Sequence, residues 1–108
     1  MTAYLISQVE VLDADAWESY RSRAAELITR AGGRYLVRGA LAEVVESDWP
    51  AVEPPPQQVI VAAFPSMRAL RDWYESPAYA EAREFRQTAV RRRMMFVAGR
   101  RTAHVRPG

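Results

Sequence analysis

The order of strand and helix patterns predicts an α+β domain of the ferredoxin-like type, β-α-β-β-α-β, with one four-stranded antiparallel sheet. Strand-forming residues cluster at positions 3–12, 34–46, 57–64 and 92–99, and amphipathic segments separate the first pair and the last pair. Right-handed crossovers convert this order into a sandwich with the helices on one face of the sheet. The core of the third strand, Val59 to Phe64, is apolar on both faces, although the predicted helices cover only one. A partner subunit is the simplest cover for the second face.

The first helix has recognisable start and stop signals. Asp15 with Glu18 three residues later resembles a capping box, and Asp13 is an alternative N-cap. Gly32 and Gly33 predict its end, because glycine accepts the left-handed conformation at a helix C-terminus. Its apolar positions recur at spacings of three and four: Trp17, Tyr20, Ala24, Leu27 and Ile28.

The second strand is predicted to be long, from Arg34 to Glu46, with Gly39 inside it. A glycine in a strand interior indicates a bulge or a close backbone approach. Residues 47–56 follow as a loop, because Trp49-Pro50 and a run of three prolines exclude a helix or a central strand.

Two serines predict helix starts in the second half of the chain. Ser66 caps a short helix, and Ser76 followed by Pro77 begins another that we expect to run to about Arg92. Tyr79 and Arg86 would then lie two turns apart on one mostly apolar face. An Arg in such surroundings reaches water or meets a carboxylate, a carbonyl or a bound anion, because an unpaired buried charge is very costly.

Composition narrows the class of protein. The 108 residues predict a single domain, 1–99, followed by an Arg-rich tail, 100–108. The absence of Cys excludes disulfides, thiolate nucleophiles and Cys-based metal sites, and His104 is the single histidine. All 15 basic residues are Arg, which excludes lysine Schiff-base chemistry. We expect no cofactor and no metal. With no signal peptide and no membrane-spanning run, we also expect a cytoplasmic protein without membrane contact.

The positive charge is uneven along the chain. The net charge is only +2, yet eight Arg residues and a single acid, Glu84, lie from Arg83 to the end. No motif of a DNA- or RNA-binding fold accompanies them. We therefore interpret these arginines as a solvated helix face and a charged C-terminal rim, and we expect no nucleic-acid partner.

Four sequence words carry a resemblance to a known family. They are Gly32-Gly33-Arg34-Tyr35-Leu36-Val37-Arg38-Gly39, Val45-Glu46-Ser47-Asp48-Trp49-Pro50, Phe64-Pro65-Ser66-Met67, and Trp73-Tyr74-Glu75-Ser76-Pro77-Ala78-Tyr79 with Arg86. In this order, and over nearly the whole chain, they resemble the domain of unknown function 1330 family. The resemblance implies the dimeric α/β-barrel superfamily, in which two ferredoxin-like subunits pack their open sheet faces together. It implies no reaction, because that superfamily includes both cofactor-free enzymes and stress-response proteins.

The candidate catalytic residues are Glu46 and Arg38. They lie eight residues apart in the predicted second strand, hence on one side unless the bulge at Gly39 changes the parity. Together with Arg86 they could surround a carboxylate or enolate, with Glu46 as the base and an Arg as the electrophilic stabiliser. The same charges could equally form a structural ion-pair network.

The candidate ligand-binding residues are Arg38, Trp49, Tyr79 and Arg86. Tyr79 could donate a hydrogen bond to a ligand, and Trp49 could wall an aromatic pocket. We interpret Trp73 as core and Ser76 as an N-cap, not a nucleophile.

Three hypotheses follow from these candidates. The first is a homodimer that binds a small polar or anionic organic molecule between sheet and helices. The second is a cofactor-independent enzyme, of isomerase, cyclase or monooxygenase type, that acts by proton abstraction and enolate stabilisation in the same pocket. The third is a non-catalytic structural protein.

Overall fold

The computed structural model describes residues 1–50, 58–84, 86–87 and 89–99. These residues form one antiparallel sheet in the order β2-β3-β1-β4 and three helices. The strands are β1 (Ala3–Val11), β2 (Arg34–Ala40), β3 (Gln58–Phe64) and β4 (Val90–Ala98), and the helices are α1 (Ala14–Arg30), α2 (Met67–Glu75) and α3 (Pro77–Glu84). The ferredoxin-like prediction is confirmed.

The alternation along β1 separates the two faces of the sheet. Ala3, Leu5, Ser7 and Val9 are buried beneath the helices, while the residues between them are only partly covered. The hydrophobic core lies on this helix-covered side, which we call the inner face.

Both ends of α1 follow local chemistry. Asp13 is the N-cap, because its carboxylate accepts hydrogen bonds from the backbone N–H groups of Asp15 (3.0 Å) and Ala16 (3.1 Å). The capping box expected at Asp15 is therefore wrong, since the extended backbone at Asp13 already aims an oxygen at those two donors. At the other end, Gly32 has a φ of +83°, and the predicted stop is confirmed.

Strand β2 is shorter than predicted. It ends at Ala40 and not at Glu46, and its last paired residue, Ala40, lies opposite Val59 near the start of β3. Residues 41–50 continue without regular structure and are all exposed. The bulge expected at Gly39 is confirmed, because the pairing register shifts between Arg38 and Ala40 and the φ of Gly39 is +91°.

The helix that begins at Pro77 is also shorter than predicted. It ends at Glu84, and Arg86 lies in a turn whose N–H donates to the carbonyl of Arg83 at 3.0 Å. The expectation that Tyr79 and Arg86 share a helix face is therefore wrong. Strand β4 begins at Val90, because β1 pairs with it over its full length from Ala3 to Val11.

The two-faced apolar character predicted for β3 is confirmed. Ala62 and Phe64 belong to the core on the inner face. Val59, Val61 and Ala63 alternate with them and point to the opposite side of the sheet. That side, which we call the open face, is covered by none of the described helices.

Candidate functional site

Three elements bring polar groups together beneath the helices. The hydroxyls of Tyr20 (α1) and Tyr79 (α3) lie 2.7 Å apart, and both residues are buried. The Nη1 of Arg92 (β4) donates to the Tyr20 hydroxyl oxygen at 2.6 Å. Arg92 points inward because it pairs with Val9, whose side chain is buried on the inner face. The result is a continuous chain of hydrogen bonds from a guanidinium to two phenols.

The environment keeps Tyr79 protonated. Burial is the main cause that raises the pKa of the Tyr79 hydroxyl, and neighbouring Tyr20 raises it further. The positive charges of Arg92 and Arg86 act in the opposite direction but do not outweigh burial. At neutral pH the Tyr79 phenol is therefore a hydrogen-bond partner and not a general base.

Two arginines near this cluster lack a carboxylate partner. Within the described ranges the salt bridges join Arg21 to Glu18 and Arg30 to Glu26, both along the outside of α1. Neither involves Arg86 or Arg92, and the Nε atom of each is buried without a hydrogen-bond partner. Arg86 and Arg92 are half-buried, and a buried N–H group without an acceptor is unfavourable, so this arrangement suits an added anion beside the two guanidinium groups.

A groove opens beside this cluster. It has a volume of about 280 Å³ and is lined by Tyr74 on α2 and by Met94 and Phe96 on β4. Tyr74 and Phe96 meet edge to face with 5.5 Å between ring centroids. Arg92 precedes Met94 by two residues on the same side of β4, about 7 Å along the strand. The groove therefore has apolar, aromatic walls and a cation near one end.

Arg38 lies at the other edge of the sheet. Its guanidinium is 4.8 Å from the ring centroid of Tyr35, and it lines a cavity of about 20 Å³ with Trp17, Arg21 and Tyr35. That volume accommodates about one water molecule. Arg38 pairs with Ile60, Ile60 pairs with Ser7, and Ser7 pairs with Met94 at the groove. Three strand spacings of about 4.8 Å therefore separate Arg38 from the groove by roughly 14 Å.

The remaining predicted site residues lie elsewhere. Glu46 and Trp49 belong to the exposed segment 41–50, where the Trp49 side chain is 79% exposed. The described hydrogen bonds, ion pairs and ring contacts connect neither of them to Arg38, Tyr79 or Arg86. Tyr79 and Arg86 are near each other, but they reach this position from a helix and the turn that follows it.

The roles assigned to Ser76 and Trp73 are confirmed. The Ser76 hydroxyl accepts from the Tyr79 N–H at 3.2 Å and donates to the Trp73 carbonyl at 2.7 Å, so it is a cap. Trp73 is buried, and its ring centroid lies 4.2 Å from that of Tyr79. His104 lies outside the described residues.

Sequence reasoning missed two members of the polar cluster. Tyr20 entered only as an apolar position of α1, and Arg92 entered only as the boundary between the predicted helix and the predicted fourth strand, 92–99. The alternation of Arg92, Met94 and Phe96 along that strand could have indicated that the three share one face. The identity of the inward face, however, depends on the pairing with β1.

Across the part of the chain that the structure describes, no three His, Cys, Asp or Glu side chains gather in a way that could hold a metal ion. None of the described helices is both long enough and apolar enough to cross a bilayer.

Several solved protein structures have a fold similar to that of this chain. A protein of unknown function from Rhodopseudomonas palustris has a similar structure, with a TM-score of 0.74 and 22% identity over 93% of this chain and 83% of that one. The cofactor-independent oxygenase SnoaB from Streptomyces nogalater is similar with a TM-score of 0.63 and 17% identity, over 95% of this chain and 97% of that one. A dimeric protein of unknown function with a ferredoxin-like fold, from Bacteroides fragilis, has a TM-score of 0.54 and 7% identity over 91% and 96% of the chains.

At these identities the structural likeness shows a shared fold alone and carries no information about activity. No curated protein sequence matches the chain. The sequence pattern of the domain of unknown function family DUF1330 matches residues 2–100, which is nearly all of the chain. The protein therefore belongs to the DUF1330 family.

Proposed function

We propose that this protein is a homodimer whose subunits each bind a small anionic organic molecule in the groove between α2 and the inner face of β4. The observation that carries the proposal is the buried, unpartnered Nε of Arg92, in a cluster to which no described carboxylate is paired. A ligand carboxylate, phenolate or enolate would supply the missing negative charge beside the Arg92 guanidinium. The apolar groove beside it would take the body of the molecule.

The tyrosine pair would orient the anionic end of the ligand. Tyr79 stays protonated, and Tyr20 already receives a hydrogen bond from Arg92, so the phenols hold the guanidinium in one place. Arg86 would add a second positive charge from the turn after α3, through its buried Nε. Arg38 would not contact this ligand, because it lines a separate cavity that is the size of one water molecule.

The homodimer would form through the open face. Ile6, Val61, Met95 and Val97 point to this side of three neighbouring strands, with Val97 substantially exposed. Ile6, Val61 and Met95 are half-buried, and adjacent apolar side chains that keep some exposure are typical of an interface between subunits. The fold likeness to a protein described as dimeric, from Bacteroides fragilis, supports the same arrangement.

A cofactor-independent enzyme is the second candidate, favoured by the likeness of the fold to the oxygenase SnoaB over almost its whole length. In that case the cationic cluster would stabilise an enolate, and Glu46, which lies outside the groove in the exposed segment 41–50, would have to approach the bound substrate to abstract the proton. Turnover of an enolisable aromatic ketone by the purified protein, lost in Glu46→Gln, would separate this candidate from simple binding. Residual turnover equal to the wild type in that variant would remove Glu46 as the base.

Thermal shift with matched ligand pairs tests the binding proposal. Small aromatic carboxylates and phenols are compared with their neutral amides and methyl ethers, using wild type, Arg86→Ala, and Arg71→Ala on the exposed side of α2 as the control. We expect anionic members to raise the melting temperature of wild type and Arg71→Ala more than that of Arg86→Ala. If no member shifts the wild type, the charges only order the protein, and the structural hypothesis replaces the binding proposal.

A further inference from the structure

A second cluster of positive charge lies between α1 and the sheet edge formed by β2, away from the groove. It surrounds the water-sized cavity beside Arg38, which has a volume of about 20 Å³. The elements α1, β2 and β3 each contribute to the lining, which consists of Trp17, Arg21, Tyr35, Arg38, Gln58 and Ile60. The lining therefore includes two guanidinium groups and no carboxylate.

An irregularity in β2 brings two of these side chains to the same face of the sheet. Tyr35 and Arg38 are three residues apart, so in a regular strand they would point to opposite faces. Tyr35 lies opposite Ala62, which belongs to the core on the inner face. The pairing register then shifts, and Arg38 lies opposite Ile60, which packs against the same core. Both side chains consequently lie on the inner side, at the cavity.

Most of the polar groups around the cavity are hydrogen-bond donors. A guanidinium group has N–H donors and no acceptor, and the indole of Trp17 has one N–H. Trp17 is 4% exposed, and its Nε1 is buried without a hydrogen-bond partner. Burial raises the pKa of the Tyr35 hydroxyl and Tyr20 raises it further, while Arg38 and Arg21 act in the opposite direction without outweighing burial. The Tyr35 phenol therefore stays protonated at neutral pH and is a further donor.

The charges of the two arginines are only partly compensated. The Nη1 of Arg21 lies 3.7 Å from the Oε2 of Glu18, and these side chains are 36% and 68% exposed, so solvent weakens the ion pair. Arg38 takes part in neither of the salt bridges that join described residues. Its guanidinium instead lies 4.8 Å from the centroid of the Tyr35 ring, which adds no full negative charge. The cavity therefore has an excess of positive charge beside an indole N–H that lacks an acceptor.

The size of the cavity and its donors favour a monatomic anion. Phosphate and sulfate have a shell of oxygens around the central atom and exceed a space for about one water molecule. A water molecule would fit, but its own O–H groups would find side-chain acceptors in the lining only on Tyr35 and Gln58. A chloride ion is only slightly larger than water, needs no acceptor, and attracts every donor of the lining.

We propose that this cavity binds a halide ion, chloride under ordinary conditions, between Arg38, Arg21 and the indole N–H of Trp17. The ion connects α1 to β2 and stabilises the fold, because a ligand that binds only the folded state shifts the folding equilibrium toward it. Arg38 is exposed, so the ion exchanges with solvent and its affinity is modest. The site is independent of the proposed binding function, since three strand spacings of about 4.8 Å separate Arg38 from the groove.

Thermal unfolding at constant ionic strength measures this linkage. Sodium chloride replaces sodium methanesulfonate, whose anion is too large for the cavity, over the range from about 1 mM to about 300 mM. Once free chloride exceeds its dissociation constant, each tenfold increase should raise the melting temperature of the wild type by about 5 °C. A rise that follows ionic strength alone would be equal in the two salts.

Three variants assign the chloride effect to the cavity. Arg38→Met keeps the apolar stem beside Tyr35 but removes the charge, so it should lose the chloride-specific rise. Trp17→Phe keeps an aromatic ring but removes the N–H, and its response should require at least about tenfold more chloride. Arg71→Met, on the exposed side of α2, should respond as the wild type does.

The inference is overturned if the wild type shows no chloride-specific rise, or if Arg38→Met shows the same rise as the wild type. A rise that persists in Arg38→Met and disappears in Arg92→Met would place the ion at the groove and overturn it too. In crystals grown with bromide, the anomalous peak should lie between the Arg38 guanidinium and the Trp17 indole, and a peak only elsewhere would contradict the site. None of these measurements uses the groove ligand, so failure of the proposed function leaves their result unchanged.

Discussion

Replacement of Arg92 by Met separates a ligand-binding role from a structural one. Met keeps the length and apolar character of the Arg stem but has neither charge nor donors. The variant loses a charged hydrogen bond to Tyr20 of 2.6 Å, worth about 1.5–3 kcal/mol, and a cation–π contact at 5.4 Å, worth about 0.5–1 kcal/mol. It also removes a buried Nε without a partner, which is unfavourable by about 1–3 kcal/mol.

These contributions nearly cancel, so the free energy of unfolding is expected to change by no more than about 1–2 kcal/mol. Binding should respond much more strongly, because loss of one partner of a buried charge pair weakens a complex by about 2–5 kcal/mol, or at least about 30-fold. Urea unfolding followed by fluorescence of the buried Trp17 and Trp73 measures stability, and calorimetric titration measures affinity. Arg71→Met, the same replacement on an exposed helix position, should change neither.

The opposite pattern would refute this reasoning. If Arg92→Met lowers stability by more than about 3 kcal/mol and leaves the affinity for every anionic probe unchanged, the guanidinium is a structural partner of Tyr20. Its unpaired Nε would then have no functional meaning.

Other expected outcomes concern the tyrosine pair, the tight helix end and the interface. Tyr79→Phe removes the hydrogen bond to Tyr20 and should destabilise the fold by about 1 kcal/mol, measured by urea unfolding. The pKa of Tyr79 is raised in the folded state, so its contribution to stability is fully present below the ordinary tyrosine pKa of about 10. That contribution is lost as the pH rises through the folded-state pKa. The wild type should therefore lose more stability than Tyr79→Phe in alkaline titrations. Gly33→Ala should lower stability by about 1–3 kcal/mol, since a Cβ there would lie 2.8 Å from Ile28 and 3.0 Å from Phe64; an unchanged melting temperature would contradict this packing. Sedimentation of the wild type should give twice the chain mass of 12.3 kDa at micromolar concentration. Val61→Glu, on the open face, should reduce the measured mass to that of the monomer. A monomeric wild type would exclude the dimer.

Local signals predicted the elements whose ends are set by neighbouring residues. The caps at Ser66 and Ser76 and the glycine stop after α1 satisfy backbone groups within a few residues, so the sequence specifies them directly. The bulge at Gly39 likewise follows from the conformational freedom of one residue. The two apolar faces of β3 were visible because each face has its own periodic pattern.

Pairing between distant segments set the features that were missed. The sequence gives residues 84–92 a helical continuation, but β1 is nine residues long and pairs with β4 from Val90 onward. This tertiary pairing overrides local propensity. The same register turns Arg92 inward. For β2 the prediction was too long: the strand pattern extends to Glu46, but the last described pair with β3 is Ala40 with Val59.

The candidate site shows the same division. Tyr79 and Arg86 were identified from their types and spacing, and they do lie together, though not on one helix. Tyr20 was not identified as a site residue because it matched the apolar face of α1. Its hydroxyl joins the polar cluster through the hydrogen bond from Arg92, which the sequence does not indicate. Glu46 and Trp49 lie in the exposed segment 41–50, and the sequence pattern had placed Glu46 in a strand that ends earlier, at Ala40.

A calorimetric titration of wild type and Arg92→Met, with one aromatic carboxylate and its neutral amide, tests the central claim most directly. An apolar groove with Arg92 near one end predicts one ligand per subunit, at least a tenfold preference of wild type for the carboxylate over the amide, and loss of that preference in Arg92→Met. Equal affinities of wild type for the carboxylate and the amide, or a preference that survives in Arg92→Met, would contradict it.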